Sequence, residues 1–271
     1  MKSLRKVLSV SLAVAAMTAA AFAAPAETPG AAEEVRTPDA VLRRTPLENF
    51  TLLSEFEISK EDLLEVRRHL TNVRREVGKD FALFPDEKFD VILSREETFR
   101  EYSNMPEHVK GFFDGRIHLP LPSSTSEMSV KTILWHEYTH AVIYVLSKNK
   151  CPGWVHEGFA RYEESKIQKP DLRILTDVLA QSPGLPIAPE NLDAALAKLT
   201  KDPKTALIVY GQAYGFADYL FSRFSRQNIH DFMVELSRGA SVEEAVYTVF
   251  HLTRKDLDQR WRAHLKKLTG R

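Results

Sequence analysis

Two histidines and a glutamate lie within a strongly apolar stretch, LWHEYTHAVIYVL at positions 134–146. His136 and His140 are four residues apart, so on an α-helix their imidazoles project from one face and can bind a single zinc ion. Glu137 points about 100° away from His136 around the helix, where its carboxylate can accept a proton from a water that the ion polarises. The H-E-x-x-H pattern therefore predicts a zinc-dependent hydrolase with Glu137 as its general base.

The apolar neighbours of these three residues allow a second interpretation. The pattern is short enough to occur by chance, and the polar groups could instead form a hydrogen-bonded seam inside a core helix. Unpaired imidazole and carboxylate groups are costly in such a place, so both interpretations require partners for them. The residues that make the segment apolar are Ile133, Leu134, Trp135, Val142, Ile143 and Val145.

A catalytic zinc site needs a third protein ligand, and the sequence offers two candidates for it. An extended motif with a glycine at 143 and a histidine at 146 fails, because those positions hold Ile143 and Leu146. The stretch WVHEGFARY at 154–162 supplies His156 and Glu157. Adjacent helical residues diverge by about 100°, so only one of the two can face the site. The residues alone do not decide whether His156 or Glu157 is the third ligand.

HEYTHAV, followed by a proline and by WVHEGFARYE, resembles the gluzincin clan of zinc metallopeptidases and especially its peptidase MA-like domain families. The similarity extends over about residues 50–268, because a strand and a hairpin precede the active helix and further helices follow it. The resemblance implies that His136, His140 and Glu157, rather than His156, hold one Zn²⁺ per chain. It also implies hydrolysis of peptide bonds through a zinc-activated water, with the glutamate of the motif as the base.

A tyrosine downstream of the third ligand often stabilises the oxyanion in this clan. In its zinc aminopeptidases, that tyrosine lies in a V-Y-x-x-G/A-like stretch, which VYGQA at 209–213 resembles. The resemblance implies that Tyr210 donates a hydrogen bond to the oxyanion, with Tyr214 one turn later as the alternative. Packing on a helix face is the competing interpretation.

One position departs from the thermolysin-like members of the clan. Those members carry an acidic residue four positions after the third ligand, where it orients a zinc histidine, whereas this sequence has Arg161. Metal-bound histidines usually need such a partner. We therefore expect the partner to be Glu163, Glu164 or a backbone carbonyl.

Hydrophobic periodicity predicts an α+β fold, which the resemblance identifies as zincin-like. A small N-terminal mixed sheet with an edge hairpin precedes the H-E-x-x-H helix, and the C-terminal half is mainly helical. GFFDGRIHLPL at 111–121 predicts the hairpin, with a turn at Asp114 and Gly115, and Pro120 and Pro122 place its end at a sheet edge. Other predicted elements are strands within 50–58 and 88–94, a helix capped by Ser59, and helices beginning at Ser241 and Thr253.

Composition divides the chain into four segments. Residues 1–23 have a basic start, an apolar run and small residues at their end, which predicts a secretory signal peptide. Residues 24–48 are rich in Ala, Pro, Glu and Thr and predict a flexible leader. The catalytic α+β half is predicted at 49–180 and the helical half at 181–271, the latter beginning with a Pro/Gly-rich loop at 181–190.

The signal peptide predicts an exported protein, periplasmic or extracellular in a bacterium, without a stable membrane anchor after cleavage. Cys151 is the only cysteine, which excludes a disulfide within the chain. Basic and acidic residues balance at 37 each, so no nucleic-acid partner is expected.

The predicted function is that of an exported zinc-dependent metallopeptidase. Its substrate is expected to be a peptide or an unfolded protein, added as a strand along the edge from Gly115 to Leu119. One alternative is a peptidase-like envelope protein with little or no turnover that acts as a binding or regulatory module. The other is a helical interaction module without metal. Activity on unfolded protein and the metal content discriminate between the three.

Overall fold

The structure is a computed structural model that describes residues 42–103, 109–120, 127–170, 172, 176, 187–196 and 203–270. The predicted signal peptide lies outside these residues, as do most of the predicted leader and positions 181–186 of the predicted loop. The described part has an α+β, zincin-like architecture, with a small N-terminal sheet and a mainly helical remainder, as predicted. None of its helices combines the length and the apolar character that crossing a membrane requires.

The strands are β1 (Arg43–Pro46), β2 (Phe50–Ser54), β3 (Phe89–Ser94), β4 (Phe112–Phe113) and β5 (Ile117–Pro120). The helices of the described residues are α1 (Lys60–Asp80), α2 (Glu96–Ser103), α3 (Glu127–Ser147), α4 (Gly153–Ser165), α5 (Pro189–Leu196), α6 (Pro203–Arg223), α7 (Arg226–Ser237), α8 (Val242–Phe250) and α9 (Arg254–Leu268).

The sheet is mixed and has the order β1-β2-β3-β5-β4. Its inner strands β2, β3 and β5 run parallel, whereas β1 and β4 pair antiparallel with their neighbours at the two edges. Helix α1 connects β2 to β3, and such a crossover is what a parallel pair of strands requires. The middle strand β3 contributes Phe89, Val91 and Leu93 to the core.

The predicted hairpin is present as β4 and β5, with its turn at Asp114 and Gly115. Gly115 has a φ of +103°, a conformation that favours glycine. The predicted edge strand from Gly115 to Leu119 is wrong, because β5 pairs with β3 on one side and with β4 on the other. The turn folds β4 onto the outer side of β5, so β4 is the edge strand.

Strand β1 lies within the predicted leader, so the predicted end of that leader at residue 48 is wrong. Arg43 to Pro46 pair antiparallel with residues 51–54 of β2. The sequence of β1, RRTP, contains no large apolar side chain, and its residues are exposed or half-buried. β1 forms because its backbone pairs with that of β2, and the hydrophobic composition of a segment does not predict such pairing.

The predicted helix N-termini are confirmed by capping hydrogen bonds. Oγ of Ser59 accepts a hydrogen bond from the backbone N–H of Asp62 at 3.0 Å, at the start of α1. Ser241 and Glu244 form a reciprocal capping box at the start of α8, and Thr253 caps α9. These caps satisfy backbone donors that have no partner within the helix, and they thereby fix where each helix begins.

Helix α3 contacts both the sheet and the C-terminal helices. Tyr138 of α3 lies against Phe50 and Phe89 of the sheet, with ring centroids 5.6 and 6.1 Å apart. The same helix packs against α4, which packs in turn against α6, where the rings of Phe159 and Phe221 are 5.5 Å apart. One cluster of buried apolar residues includes members of both predicted halves. The polar groups that α3 carries are therefore enclosed by protein.

Candidate metal centre

Helix α3 carries His136, Glu137 and His140 in a buried stretch. These residues expose only 3%, 2% and 0% of their surface, respectively. The two imidazole rings meet edge to face with centroids 4.8 Å apart, as expected for residues one helical turn apart. Such burial is costly for polar groups without partners, so the partners of these side chains decide what the site can do.

Helix α4 brings Glu157 to the same place. Lys148 and Asn149 have φ values of 50° and 58°, so the chain leaves α3 in the left-handed conformation and enters α4 after a short loop. Gly158 then allows α4 to approach α6 closely, since a Cβ atom there would lie 2.3 Å from the carbonyl oxygen of Ala213. The close packing of α4 on both α3 and α6 fixes where Glu157 lies.

The ligand atoms of His136, His140 and Glu157 converge on one point. Nε2 of His136 lies 3.6 Å from Oε2 of Glu157, and Nε2 of His140 lies 3.6 Å from its Oε1. These separations exceed those of ordinary N–H···O hydrogen bonds, about 2.7–3.2 Å. They are close to the spacing of about 3.4 Å between ligand atoms that each lie about 2.1 Å from a tetrahedral zinc ion. One atom from each side chain lies within 4.8 Å of the others, so the three can bind one ion.

The second ring nitrogen of His136 contacts a carboxylate. Nδ1 of His136 and Oε2 of Glu164 are 3.0 Å apart, which makes Glu164 the partner among the three that we expected. It follows Glu157 by two turns on the same face of α4. Glu163 points elsewhere, with both oxygens 2.7 Å from Nζ of Lys166. Burial would raise the pKa of Glu164, but the hydrogen bond with His136 and a nearby guanidinium hold that pKa below its ordinary value.

The second ring nitrogen of His140 contacts another histidine. Nδ1 of His140 and Nδ1 of His156 are 3.2 Å apart, and both side chains are fully buried. His156 thus lies at the ring nitrogen opposite the one that faces Glu157. The geometry favours Glu157 over His156 as the third ligand, because His156 lies on the wrong side of the His140 ring. Burial lowers the pKa of His156 to about 3, so its ring is neutral.

Several carboxylates surround the convergence point. Burial raises the pKa of Glu137 to about 8; the charge of His136 opposes this rise, and those of Glu157 and Glu164 add to it. Burial also disfavours a charge on His136, but its contacts with Glu157 and Glu164 outweigh burial and raise its pKa to about 10. Oε2 of Glu137 and Oε1 of Glu157 have no hydrogen-bond partner among the described residues. A divalent cation would offset this negative charge, and a donor set of two imidazoles and a carboxylate suits zinc.

The family model of the peptidase MA superfamily matches residues 124–267 of the 271-residue chain. The chain belongs to the peptidase MA superfamily. This finding confirms the family that HEYTHAV and WVHEGFARYE resemble. All the residues predicted for the site, from His136 to Tyr214, lie within the matched span.

Among solved structures, this superfamily member is similar to the crystal structure of an M1 zinc metallopeptidase mutant from Deinococcus radiodurans. The two are 15% identical, with a TM-score of 0.43, and the match covers 83% of this chain and 51% of that one. The chain therefore spans about half the length of that metallopeptidase. None of the curated proteins searched matches the sequence.

In this superfamily member, the two predicted tyrosines, Tyr210 and Tyr214, lie one turn apart on α6. Tyr210 is buried, and its hydroxyl has no hydrogen-bond partner among the described residues. Burial raises its pKa, and the charge of Glu157 adds to that rise, so the tyrosine lies within electrostatic range of this carboxylate. The guanidinium carbon of Arg161 lies 4.5 Å from the ring centroid of Tyr210. The hydroxyl of Tyr214 is turned toward Ser165 instead.

Gly111 was not among the predicted site residues, yet it lies directly against Glu137. A Cβ atom at position 111 would lie 3.2 Å from Cγ of Glu137 and 2.5 Å from Cγ2 of Ile133. The segment that enters the edge strand β4 therefore approaches α3 closely at Glu137. Its signal in the sequence was the glycine that opens GFFDG, which no periodic pattern connects with position 137.

Proposed function

We propose that this protein is a zinc-dependent peptidase that hydrolyses peptide bonds. The observation that carries the proposal is the convergence of two imidazole nitrogens and a carboxylate within 4.8 Å of one another, beside the buried Glu137. A structural zinc site is closed by four protein ligands, whereas three ligands leave a position for solvent or substrate. A base next to that open position is what hydrolysis requires.

His136, His140 and Glu157 would hold the ion. A zinc ion in such a site supplies a Lewis acid that polarises a carbonyl group and lowers the pKa of water. Glu137 accepts a proton from the attacking water and later delivers it to the leaving amine.

Tyr210 is the proposed donor to the negative charge that develops on the carbonyl oxygen. Its hydroxyl has no competing hydrogen-bond partner among the described residues. Arg161 lies against the face of the ring and holds its orientation. A donor placed before the reaction begins needs no reorganisation when charge develops, which is why such groups are effective.

The proposed substrate is an extended peptide or an unfolded protein that adds to the sheet edge at β4, which consists of Phe112 and Phe113. β4 is the edge strand, and Gly111 holds the same segment against Glu137. A peptide paired there through backbone hydrogen bonds would pass the base whatever its sequence. This edge replaces the one expected from Gly115 to Leu119, since β5 is paired on both sides.

The proposed enzyme acts outside the cytoplasm. The basic and apolar character of residues 1–23 supports export. The test is fractionation of bacterial cells that express the full chain, together with the mass of the exported product. We expect an exported product that lacks residues 1–23. An intact chain in the cytoplasm contradicts the proposed export.

The test of the proposed activity is cleavage of an unfolded protein by the purified chain. Cleavage should stop on chelation and return with zinc. Glu137→Gln should retain zinc and cleave nothing, because it keeps the shape of the side chain but cannot accept the proton. Cleavage by Glu137→Gln contradicts the role of the base. A wild-type chain that binds zinc and unfolded protein without cleaving it supports the alternative of a binding module instead.

A further inference from the structure

Two consecutive residues of α4 contact opposite nitrogens of one imidazole ring. Oε1 of Glu157 lies 3.6 Å from Nε2 of His140, and Nδ1 of His156 lies 3.2 Å from Nδ1 of the same ring. Adjacent residues on a helix point about 100° apart, so α4 can reach both sides of a ring that stands next to it. The rings of His140 and His156 are inclined at 37° with centroids 5.3 Å apart.

The contact between the two Nδ1 atoms needs one donor and one acceptor. A neutral imidazole carries a proton on only one of its nitrogens. If Nε2 of His140 binds zinc, its lone pair is engaged and the ring proton must lie on Nδ1. His140 is then the donor, Nδ1 of His156 is the acceptor, and the proton of His156 lies on its Nε2.

We propose that His156 is a positioning residue that fixes the tautomer and the ring orientation of His140 for zinc binding. The inference rests on the proposed zinc site of His136, His140 and Glu157. Glu164 orients the other histidine of the site with a carboxylate, whereas His156 does so with a neutral ring.

A neutral acceptor at position 156 has a physical reason. Glu137, Glu157 and Glu164 already place three carboxylates around the convergence point, and all three are buried or nearly so. A fourth carboxylate at this fully buried position would add a charge that one divalent ion does not offset. An imidazole accepts the same hydrogen bond without that charge.

The test compares three substitutions by the zinc affinity of the full chain, measured in competition with a chromophoric chelator. His156→Ala removes the acceptor and should weaken zinc binding by about 10–100-fold. His156→Asn should restore affinity to within about threefold of wild type, because its Oδ1 stands two bonds from Cβ, as Nδ1 of histidine does. His156→Gln places its oxygen one bond further away and should bind zinc as weakly as His156→Ala.

Two measurements separate orientation from packing. Unfolding of the metal-free variants reports any packing defect. If the role of His156 were merely structural, His156→Asn would weaken zinc binding as much as His156→Ala. In the zinc-loaded wild type, ¹⁵N NMR of the imidazoles should show the proton of His140 on Nδ1 and that of His156 on Nε2. Equal zinc affinity of His156→Ala and wild type, an Asn variant no better than Ala, or the opposite tautomer of His156 overturns the inference.

Measured zinc affinity also distinguishes a failure of this inference from a failure of the proposed peptidase activity. A wild-type chain that binds zinc through these residues but cleaves no peptide contradicts the peptidase and leaves the role of His156 supported. An active enzyme whose zinc affinity is unchanged in His156→Ala contradicts the role of His156 alone. A wild-type chain without zinc overturns both.

Discussion

His136 and Glu164 are 28 positions apart in the sequence, yet Nδ1 of the histidine and Oε2 of the glutamate are 3.0 Å apart in the structure. This contact orients His136 with its other nitrogen toward Glu157. We expect Glu164→Ala to weaken zinc binding by about 10–100-fold, because the ring loses the acceptor that holds it. Glu164→Gln retains an acceptor oxygen and should lose less. Chelator competition measures both.

The neighbouring glutamate provides a matched control for that prediction. Glu163 is fully buried and contacts Lys166 rather than a histidine of the site. Glu163→Gln should therefore leave the zinc affinity within about threefold of wild type. A Glu163 variant that loses as much zinc affinity as the Glu164 variant would show that general damage to α4, not the orientation of His136, explains the loss.

Glu163 itself should make the stability of the protein depend on pH. Burial raises its pKa from the ordinary 4.5 to about 8, although Lys166 opposes the rise. Between these values the folded state keeps a proton that the unfolded state has released, so the stability present below pH 4.5 is lost as the pH rises through about 8. In the presence of chelator, the unfolding free energy of Glu163→Gln should fall less over this range than that of wild type. If the unfolding free energies of wild type and Glu163→Gln changed in parallel with pH, the pH dependence could not be assigned to Glu163.

Gly158 sets the distance between α4 and α6. A Cβ atom there would lie 2.3 Å from the carbonyl oxygen of Ala213, a backbone atom that cannot move without its helix. Gly158→Ala should cost about 1–3 kcal/mol of unfolding free energy and weaken zinc binding, because α4 carries Glu157. Gly153→Ala on the same helix meets the ends of two side chains, Cδ2 of Leu196 at 3.2 Å and Oδ1 of Asp193 at 3.4 Å, and should change less. Denaturant unfolding and zinc titration of both variants check this, and equal effects would contradict it.

Tyr210 and Tyr214 should differ in their effect on catalysis. Tyr210→Phe should lower kcat by about 10²–10³-fold with little change in KM, because the hydroxyl is proposed to act only on developing charge. Its folded stability should not fall, since that hydroxyl has no hydrogen-bond partner among the described residues. Tyr214→Phe loses a contact with Ser165 and should leave kcat nearly unchanged. Steady-state kinetics decide between them, and a larger loss in Tyr214→Phe would reverse the assignment.

The parts of the site that follow from local geometry could be predicted from the sequence. His136 and His140 face the same side because they are four residues apart on one helix, and that rule needs no knowledge of the fold. Spacing alone could not identify Glu157 as the third ligand, because it left His156 as an alternative. Only the resemblance to a family favoured the glutamate. The structure separates the two by the side of the His140 ring that each one contacts.

What the sequence did not predict depends on contacts between distant segments. The approach of Gly111 to Glu137 is set by how the hairpin packs on α3, which no periodic pattern records. Two further errors have a related reason: the wrong hairpin strand was predicted at the sheet edge, and β1 was predicted to be leader. Backbone pairing decides both, and side-chain composition carries little of that information. Glu164 was one of three expected partners, and only the packing of α4 against α3 selects it.

The central claim is that His136, His140 and Glu157 hold one zinc ion beside Glu137. Elemental analysis of the purified chain, next to Glu157→Ala and Glu137→Gln, tests it most directly. The account predicts one zinc per chain in wild type and in Glu137→Gln, and loss of bound zinc in Glu157→Ala after dialysis against a weak chelator. A Glu157→Ala variant that keeps its zinc as firmly as wild type would contradict it.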